Sequence, residues 1–178
     1  MAAQERPGVV TFKGSPMTLE GPELKVGDIV PDVEAVGANM APLAPLAASA
    51  GKARLFIAIP SVDTSVCSLE TRTFSRRAAE LGDDVAVYAV SGDLPFAQSR
   101  WCGAEGVENV TMVSDYRDHA LGRAWGLSLK EMGGLLARAV YVVDKNDRVA
   151  YREIVDDISR EPDYDAAIEA AKAAAAAA

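Results

Sequence analysis

Arg54-Leu55-Phe56-Ile57-Ala58-Ile59-Pro60-Ser61-Val62-Asp63-Thr64-Ser65-Val66-Cys67 is the stretch that decides the fold class. Residues 54–59 are an apolar run closed by a proline, the pattern of a central strand buried on both faces. From Cys67 to residue 81 the apolar residues Leu69, Phe74, Ala78 and Leu81 recur at helical spacing, and Gly82-Asp83-Asp84 supplies a stop. A buried strand therefore runs through a short polar loop into a helix, with a cysteine at the junction, where reactive groups often sit.

Working outward, residues 85–90 (VAVYAV) predict a second buried strand and 110–113 a third. Residues 96–101 between them predict a short helical segment, and 118–125 a helix. Residues 139–143 (AVYVV) and 149–155 predict a hairpin across Asp144-Lys145-Asn146-Asp147. A closing helix starts at Tyr164, and its alanine run has high helix propensity but little to pack, so fraying is expected. Upstream, residues 9–12 and 17–19 predict an N-terminal β-hairpin across Gly14-Ser15-Pro16, followed by a Pro/Ala/Gly-rich region with one strand at 33–36. Strands alternating with helices and ending in an antiparallel hairpin predict an α/β fold with a mixed sheet. Residues 1–178 contain no repeat or linker that divides them, so one domain is expected.

Composition narrows the function classes. Net charge is −8 with no Lys/Arg run, which argues against nucleic acid and anionic membrane as partners. The first ten residues carry Glu and Arg where a secretory signal has its apolar core, and no stretch reaches membrane-spanning length, so a cytoplasmic location is expected. Two cysteines and a single histidine, His119, are too few for a disulfide scaffold or a structural zinc site. In a reducing compartment such a pair is either two buried small hydrophobes or a redox couple.

The surroundings of the two cysteines differ. With Asp63 or Thr64 as N-cap, Cys67 falls in the first helical turn, where free N–H groups and the helix dipole favour an anion. The thiolate is the attacking species, so Cys67 is the candidate nucleophile. Thr64 either caps the helix or turns its hydroxyl toward the sulfur or a substrate oxygen. Cys102 is placed at the end of a short helix with Gly103 as the C-terminal cap, which makes it the less acidic thiol, suited to resolve an oxidised partner. Its bland reading is a buried cysteine beside Trp101.

Other chemistry has weaker support. His119 reads as a surface or capping residue rather than a general base, and no Ser-His-Asp set forms around it. Met132-Gly133-Gly134-Leu135 follows no nucleotide-binding spacing and reads as a flexible loop. Arg138 precedes a core strand, and position alone favours solvent; facing Cys67, its charge would stabilise a thiolate and orient a peroxide oxygen.

Pro60-x-x-x-Thr64-x-x-Cys67 resembles the peroxidatic signature of the peroxiredoxins, which have a thioredoxin-like fold. SVDTSVC, SGDLPFAQSRWCGAEG, GLLARAVYVVD and EPDYDAA resemble, in order and spacing, the bacterial thiol peroxidase subfamily of atypical two-cysteine peroxiredoxins. The resemblance covers nearly the whole chain. It implies a thioredoxin-like fold with a mixed central sheet, flanking helices and an N-terminal hairpin. It further implies that Cys67 is oxidised to a sulfenic acid by hydrogen peroxide or an alkyl hydroperoxide, that Cys102 resolves it as an intramolecular disulfide, and that thioredoxin reduces the bond. By the same match Thr64 hydrogen-bonds the reacting sulfur or peroxide, Pro60 shields the thiolate, and Arg138 supplies positive charge. A homodimer without metal or organic cofactor is implied. Trp101, where the subfamily pattern suggests Phe, and the alanine tail depart from it.

Two rival functions use the same thiol. A thiol-disulfide oxidoreductase normally carries Cys-x-x-Cys, and residues 65–68 hold one cysteine. A peroxide-sensing redox relay, passing its disulfide to a partner protein, is the alternative that turnover with thioredoxin separates. A disulfide needs Cα atoms roughly 4.4–6.8 Å apart, so with the cysteines on separate helices residues 96–105 are expected to unwind during turnover.

Overall fold

A computed structural model describes residues 3–177. Its elements in chain order are β1 (Glu5–Phe12), β2 (Ser15–Glu20), β3 (Ala35–Val36), β4 (Pro42–Leu43), α1 (Pro45–Ala48), β5 (Ala53–Ala58), α2 (Ser65–Ala78), β6 (Val85–Ser91), α3 (Pro95–Glu105), β7 (Thr111–Ser114), α4 (Ala120–Ala124), β8 (Ser128–Leu129), β9 (Leu135–Leu136), β10 (Ala139–Val143), β11 (Val149–Ile154) and α5 (Tyr164–Ala176). Strands β11-β10-β5-β6-β7-β3-β4 form the main sheet, and β1-β2-β8-β9 a smaller one. Pairing is parallel for β5 with β6 and β6 with β7, and antiparallel for β10 with β5 and with β11. The expected mixed sheet with flanking helices is present.

Strand alternation splits the core cleanly in two. From β5, Leu55 and Ile57 point to one face while Phe56 and Ala58 point to the other; Val140 and Val142 of β10 join the first set, Tyr141 and Val143 the second. The first face is covered by α2 and α5 through Phe74, Ala78, Ile168 and Ala171. The second is filled by an aromatic group in which Phe56 stacks on Tyr88 at 5.2 Å and meets Trp125 edge-on at 4.7 Å. An apolar run buried on both faces thus becomes an interior strand, between β10 and β6, as its sequence implied.

Four expectations need correction. The hairpin turn is Lys13-Gly14, both at positive φ (48° and 85°), so Ser15 and Pro16 already belong to β2. Two left-handed positions suit the twist of a two-residue hairpin loop, and proline cannot take either. Second, the alanine tail packs: Ala171 and Ala174 are buried and α5 persists to Ala176, because small side chains let the helix sit close against the sheet. Third, residues 132–135 are an ordered turn, in which Gly133 (φ 64°) donates to the Lys130 carbonyl at 3.2 Å and Gly134 to that of Leu129 at 3.0 Å. Fourth, α3 continues through Cys102 and Gly103 to Glu105 and is capped by Gly106 (φ 64°). Cys102 therefore lies within the last turns of a longer helix.

Asp157 places the N-terminal hairpin beside the site described next. Its carboxylate accepts from Thr11 Oγ1 at 2.6 Å and from the Gly14 amide at 3.0 Å, which brings Phe12 next to Ile158 at the mouth of a cavity.

Candidate active site

The loop leaving β5 carries Pro60 and Thr64 to the start of α2. Thr64 is the N-cap, with extended backbone (φ −91°, ψ 145°), and its Oγ1 accepts from the Cys67 amide at 3.3 Å. The hydroxyl proton is given to the Ser61 carbonyl at 3.2 Å. Of the two readings of Thr64, the cap is the one realised here. Cys67 is the third helical residue, with the dipole's positive end at its sulfur, and it is fully buried.

Arg138 reaches the sulfur from the neighbouring strand. Ala139 of β10 pairs with Ala58 of β5, so the residue before β10 lies alongside the residue after β5. The side chain is 2% exposed, which overturns the solvent reading drawn from position alone. Each of its three nitrogens finds a partner indoors: Nη2 donates to Cys67 Sγ at 3.2 Å, Nε to the Ile158 carbonyl at 2.9 Å, and Nη1 to Glu70 Oε2. Arginine suits this position because its planar fork serves three partners at once with fixed charge.

Glu70 is the residue that sequence reading passed over. It lies one turn beyond Cys67 on the buried face of α2, fully buried, with Oε1 lacking a partner among the described residues. The signal was present in outline: a Glu on the stripe shared with Phe74 and Ala78, and one Arg entering a core strand as its counter-charge. Burial pushes the Glu70 carboxyl up to about 8, against the pull of Arg138. Burial thus favours the neutral acid beside the guanidinium, which spares the interior a second full charge.

A stability consequence follows from the direction of this shift. A carboxyl raised in the folded state from 4.5 to about 8 contributes most below the lower value, and the contribution is lost as pH rises through the upper one. Glu70→Gln is therefore expected to flatten the fall in melting temperature of the reduced protein between those pH values. Unchanged pH dependence in the variant would show that Glu70 does not titrate there.

Pro60, Thr64, Arg138, Leu135, Met132 and Phe12 line a cavity of about 330 Å3 at the N-terminus of α2, mostly apolar and open to solvent, with the buried Cys67 behind its Arg138 wall. Cys102 lines a different cavity with Pro95, Gln98, Val107 and Met112. Both cysteines are free thiols. Burial, rather than the helix end invoked from sequence, pushes the Cys102 thiol up. Trp101 is well accommodated in this chain: its indole N–H donates to Ser68 Oγ at 3.2 Å, joining α3 to α2. The structure thus brings Pro60, Thr64, Cys67 and Arg138 together and holds Cys102 outside that group. His119 sits at the start of α4 with φ 52° and gives α4 no side-chain cap bond.

Comparison with known proteins identifies the family. Residues 25–168 match the Redoxin family. A thiol peroxidase of Clostridium acetobutylicum is 52% identical over 165 residues, 93% of this chain and 98% of its own. One of Bacillus subtilis is 49% identical over 92% of this chain and 96% of its own. Among solved structures, a peroxiredoxin-like protein from Aquifex aeolicus superposes with a TM-score of 0.86 at 37% identity, covering 93% of this chain and 96% of that one. A thiol peroxidase from Chromobacterium violaceum shares the fold at a TM-score of 0.79 and 20% identity, covering 88% of this chain and 91% of that one. With a buried thiol whose helix is capped by a threonine and whose sulfur accepts from an arginine, and with these relatives along nearly all its length, the chain belongs to the Redoxin family, among its thiol peroxidases.

Proposed function

We propose that this chain reduces hydrogen peroxide and alkyl hydroperoxides to water and alcohols, with Cys67 as the attacking thiolate, Cys102 as the resolving thiol and thioredoxin as the reductant. The observation that carries the reading is the Arg138 Nη2 contact to Cys67 Sγ at 3.2 Å, at a helix N-terminus that opens on an apolar cavity. Helix dipole and guanidinium both stabilise negative charge on the sulfur, and the guanidinium can also hold an incoming peroxide oxygen. Thr64, released from the Ser61 carbonyl, has a hydroxyl free to donate to the same oxygen. Pro60 contributes no N–H at the sulfur's edge and limits water access there.

In the first step the thiolate takes the outer oxygen, the O–O bond breaks, and a proton completes the departing alcohol. In the second, Cys102 attacks the sulfenic sulfur and water leaves. The predominantly apolar lining of the cavity supports an organic peroxide as a substrate beside hydrogen peroxide. We further infer that residues 1–178 act as one domain, as a homodimer in the cytoplasm, where a reducing poise returns both cysteines to thiols between turnovers.

Cys67→Ser is expected to abolish hydroperoxide consumption in a coupled assay with thioredoxin and its reductase while leaving the fold intact. Undiminished consumption would remove Cys67 from the reaction. Wild-type consumption that stops at one equivalent per chain, with reductant in excess, would favour the redox relay instead. A further expectation concerns motion: α3 buries little beyond Pro95, Gln98 and Trp101 and leaves Phe96 66% exposed, so it is the segment expected to open. Amide hydrogen exchange across residues 96–105 should be faster in the disulfide form. Equal protection in both redox states would contradict the opening.

A further inference from the structure

A polar chain running from the Cys67 loop to the Cys102 helix has no part in the peroxide chemistry described so far. Its centre is Asp93, half-buried in the turn between β6 and α3. The carboxylate accepts from Ser61 Oγ at 2.8 Å and from the Val62 amide at 2.9 Å, two bonds that anchor the loop leading to Cys67. It also accepts from Ser91 Oγ at 2.6 Å. Ser91 Oγ in turn accepts from Gln98 Nε2 at 3.0 Å, and that amide nitrogen also donates to the Val113 carbonyl at 3.0 Å. Ser91 and Gln98 are buried.

The direction of this chain is fixed by its members. An ionised carboxylate only accepts and an amide nitrogen only donates, so the single hydroxyl proton of Ser91 must go to Asp93. Gln98 lies one helical turn before Cys102 on α3. One carboxylate thus fastens both the segment that carries the attacking cysteine and, through Ser91, the helix that carries the resolving one. Bonds to an ionised acceptor are the stronger kind, and here three converge on one group.

We propose that Asp93 is a positioning residue that couples the two cysteines, holding the Cys67 loop and α3 closed as one unit and thereby setting how fast the sulfenic acid is resolved rather than how fast it forms. The inference rests on the Cys67–Cys102 disulfide of the preceding section. Resolution requires α3 to open, so that the Cys102 thiol can attack the Cys67 sulfenic sulfur, forming the S–S bond and releasing water. Until it does, a second hydroperoxide can oxidise the sulfenic acid to a sulfinic acid and leave as alcohol. The Asp93 chain sets the partition between these two fates, because opening α3 removes Gln98 from Ser91 and opening the loop removes Val62 and Ser61 from Asp93. The Arg100–Asp63 pair at 3.3 Å spans the same two segments, but both side chains are exposed and it adds little.

Gln98→Met cuts the chain on the α3 side without touching the Cys67 loop, and Asp93→Asn weakens it at the centre, since one amide oxygen cannot accept all three bonds. Full-length reduced protein is mixed with cumene hydroperoxide, quenched in acid over milliseconds to seconds, and its sulfenic, disulfide and sulfinic forms are counted by intact mass. In either variant Cys67 oxidation should stay within about threefold of wild type, while disulfide formation becomes about tenfold faster, the effect of losing a buried hydrogen bond of ordinary strength. The sulfinic fraction at high peroxide should fall by the same factor. The double variant should resolve no faster than the faster single variant. A wild-type partition in Gln98→Met, or single effects that multiply in the double variant, would overturn the coupling; if Asp93→Asn does not fold, Gln98→Met alone decides. Absence of any Cys67–Cys102 disulfide in the wild type would instead reject the two-cysteine reading itself.

Discussion

The Arg138→Leu variant is expected to oxidise Cys67 about 10²–10³ times more slowly than wild type, the loss found when one preorganised donor to a reacting charge is removed. The guanidinium touches the sulfur at 3.2 Å and no other cation donates to it among the described residues. The same variant should be less stable by about 2 kcal/mol, because the buried Glu70 carboxyl loses the donor that occupies Oε2. Adding Glu70→Leu should restore much of the stability, since the buried carboxyl left without its donor is then gone, and none of the rate. That split separates a catalytic role from a packing role. Stopped-flow tryptophan fluorescence gives the rate and thermal unfolding the stability. Oxidation within threefold of wild type in Arg138→Leu would reduce the arginine to a structural partner of Glu70. Arg138→Lys should fall between, as one ammonium cannot serve Sγ, Oε2 and the Ile158 carbonyl with the same geometry.

The second large effect is expected in Cys102→Ser. This variant should reduce one equivalent of hydroperoxide at the wild-type rate and then stop, with no steady-state turnover on thioredoxin. The first step depends on Thr64, Cys67 and Arg138, all outside α3, whereas the second has lost its nucleophile. The product should be a Cys67 sulfenic acid that progresses to sulfinic acid with more peroxide. Normal steady-state turnover would mean that another thiol, in a partner chain or the reductant, resolves Cys67 directly.

Much of this was legible in the residues themselves. The run 54–59 reads as a strand buried on both faces because side chains alternate, and both sets are apolar. Thr64 and Cys67 read as cap and first-turn thiol because capping is a matter of three residues along the chain. What depends on distant partners was harder to see. Arg138 reads as a surface residue until Glu70, 68 positions away, is placed beside it, and Glu70 reads as an ordinary helix glutamate until Arg138 is. The end of α3 is not marked in the sequence, because a glycine inside a helix and a glycine ending one look alike. Gly103 keeps helical backbone, and Gly106 takes the left-handed conformation that stops it. The burial of the alanine tail is hidden for a related reason: helix propensity is a local property, while the close approach that small side chains permit belongs to packing against β5 and β10.

The measurement to make first is intact mass with thiol counting after reduced protein receives one equivalent of cumene hydroperoxide. Both thiols should disappear together, the mass should fall by the two hydrogens of a new disulfide, and peptide mapping should join Cys67 to Cys102 within one chain. Two thiols still present after minutes, or a bridge that links two chains, would contradict the assignment of Cys67 as attacker and Cys102 as its resolver.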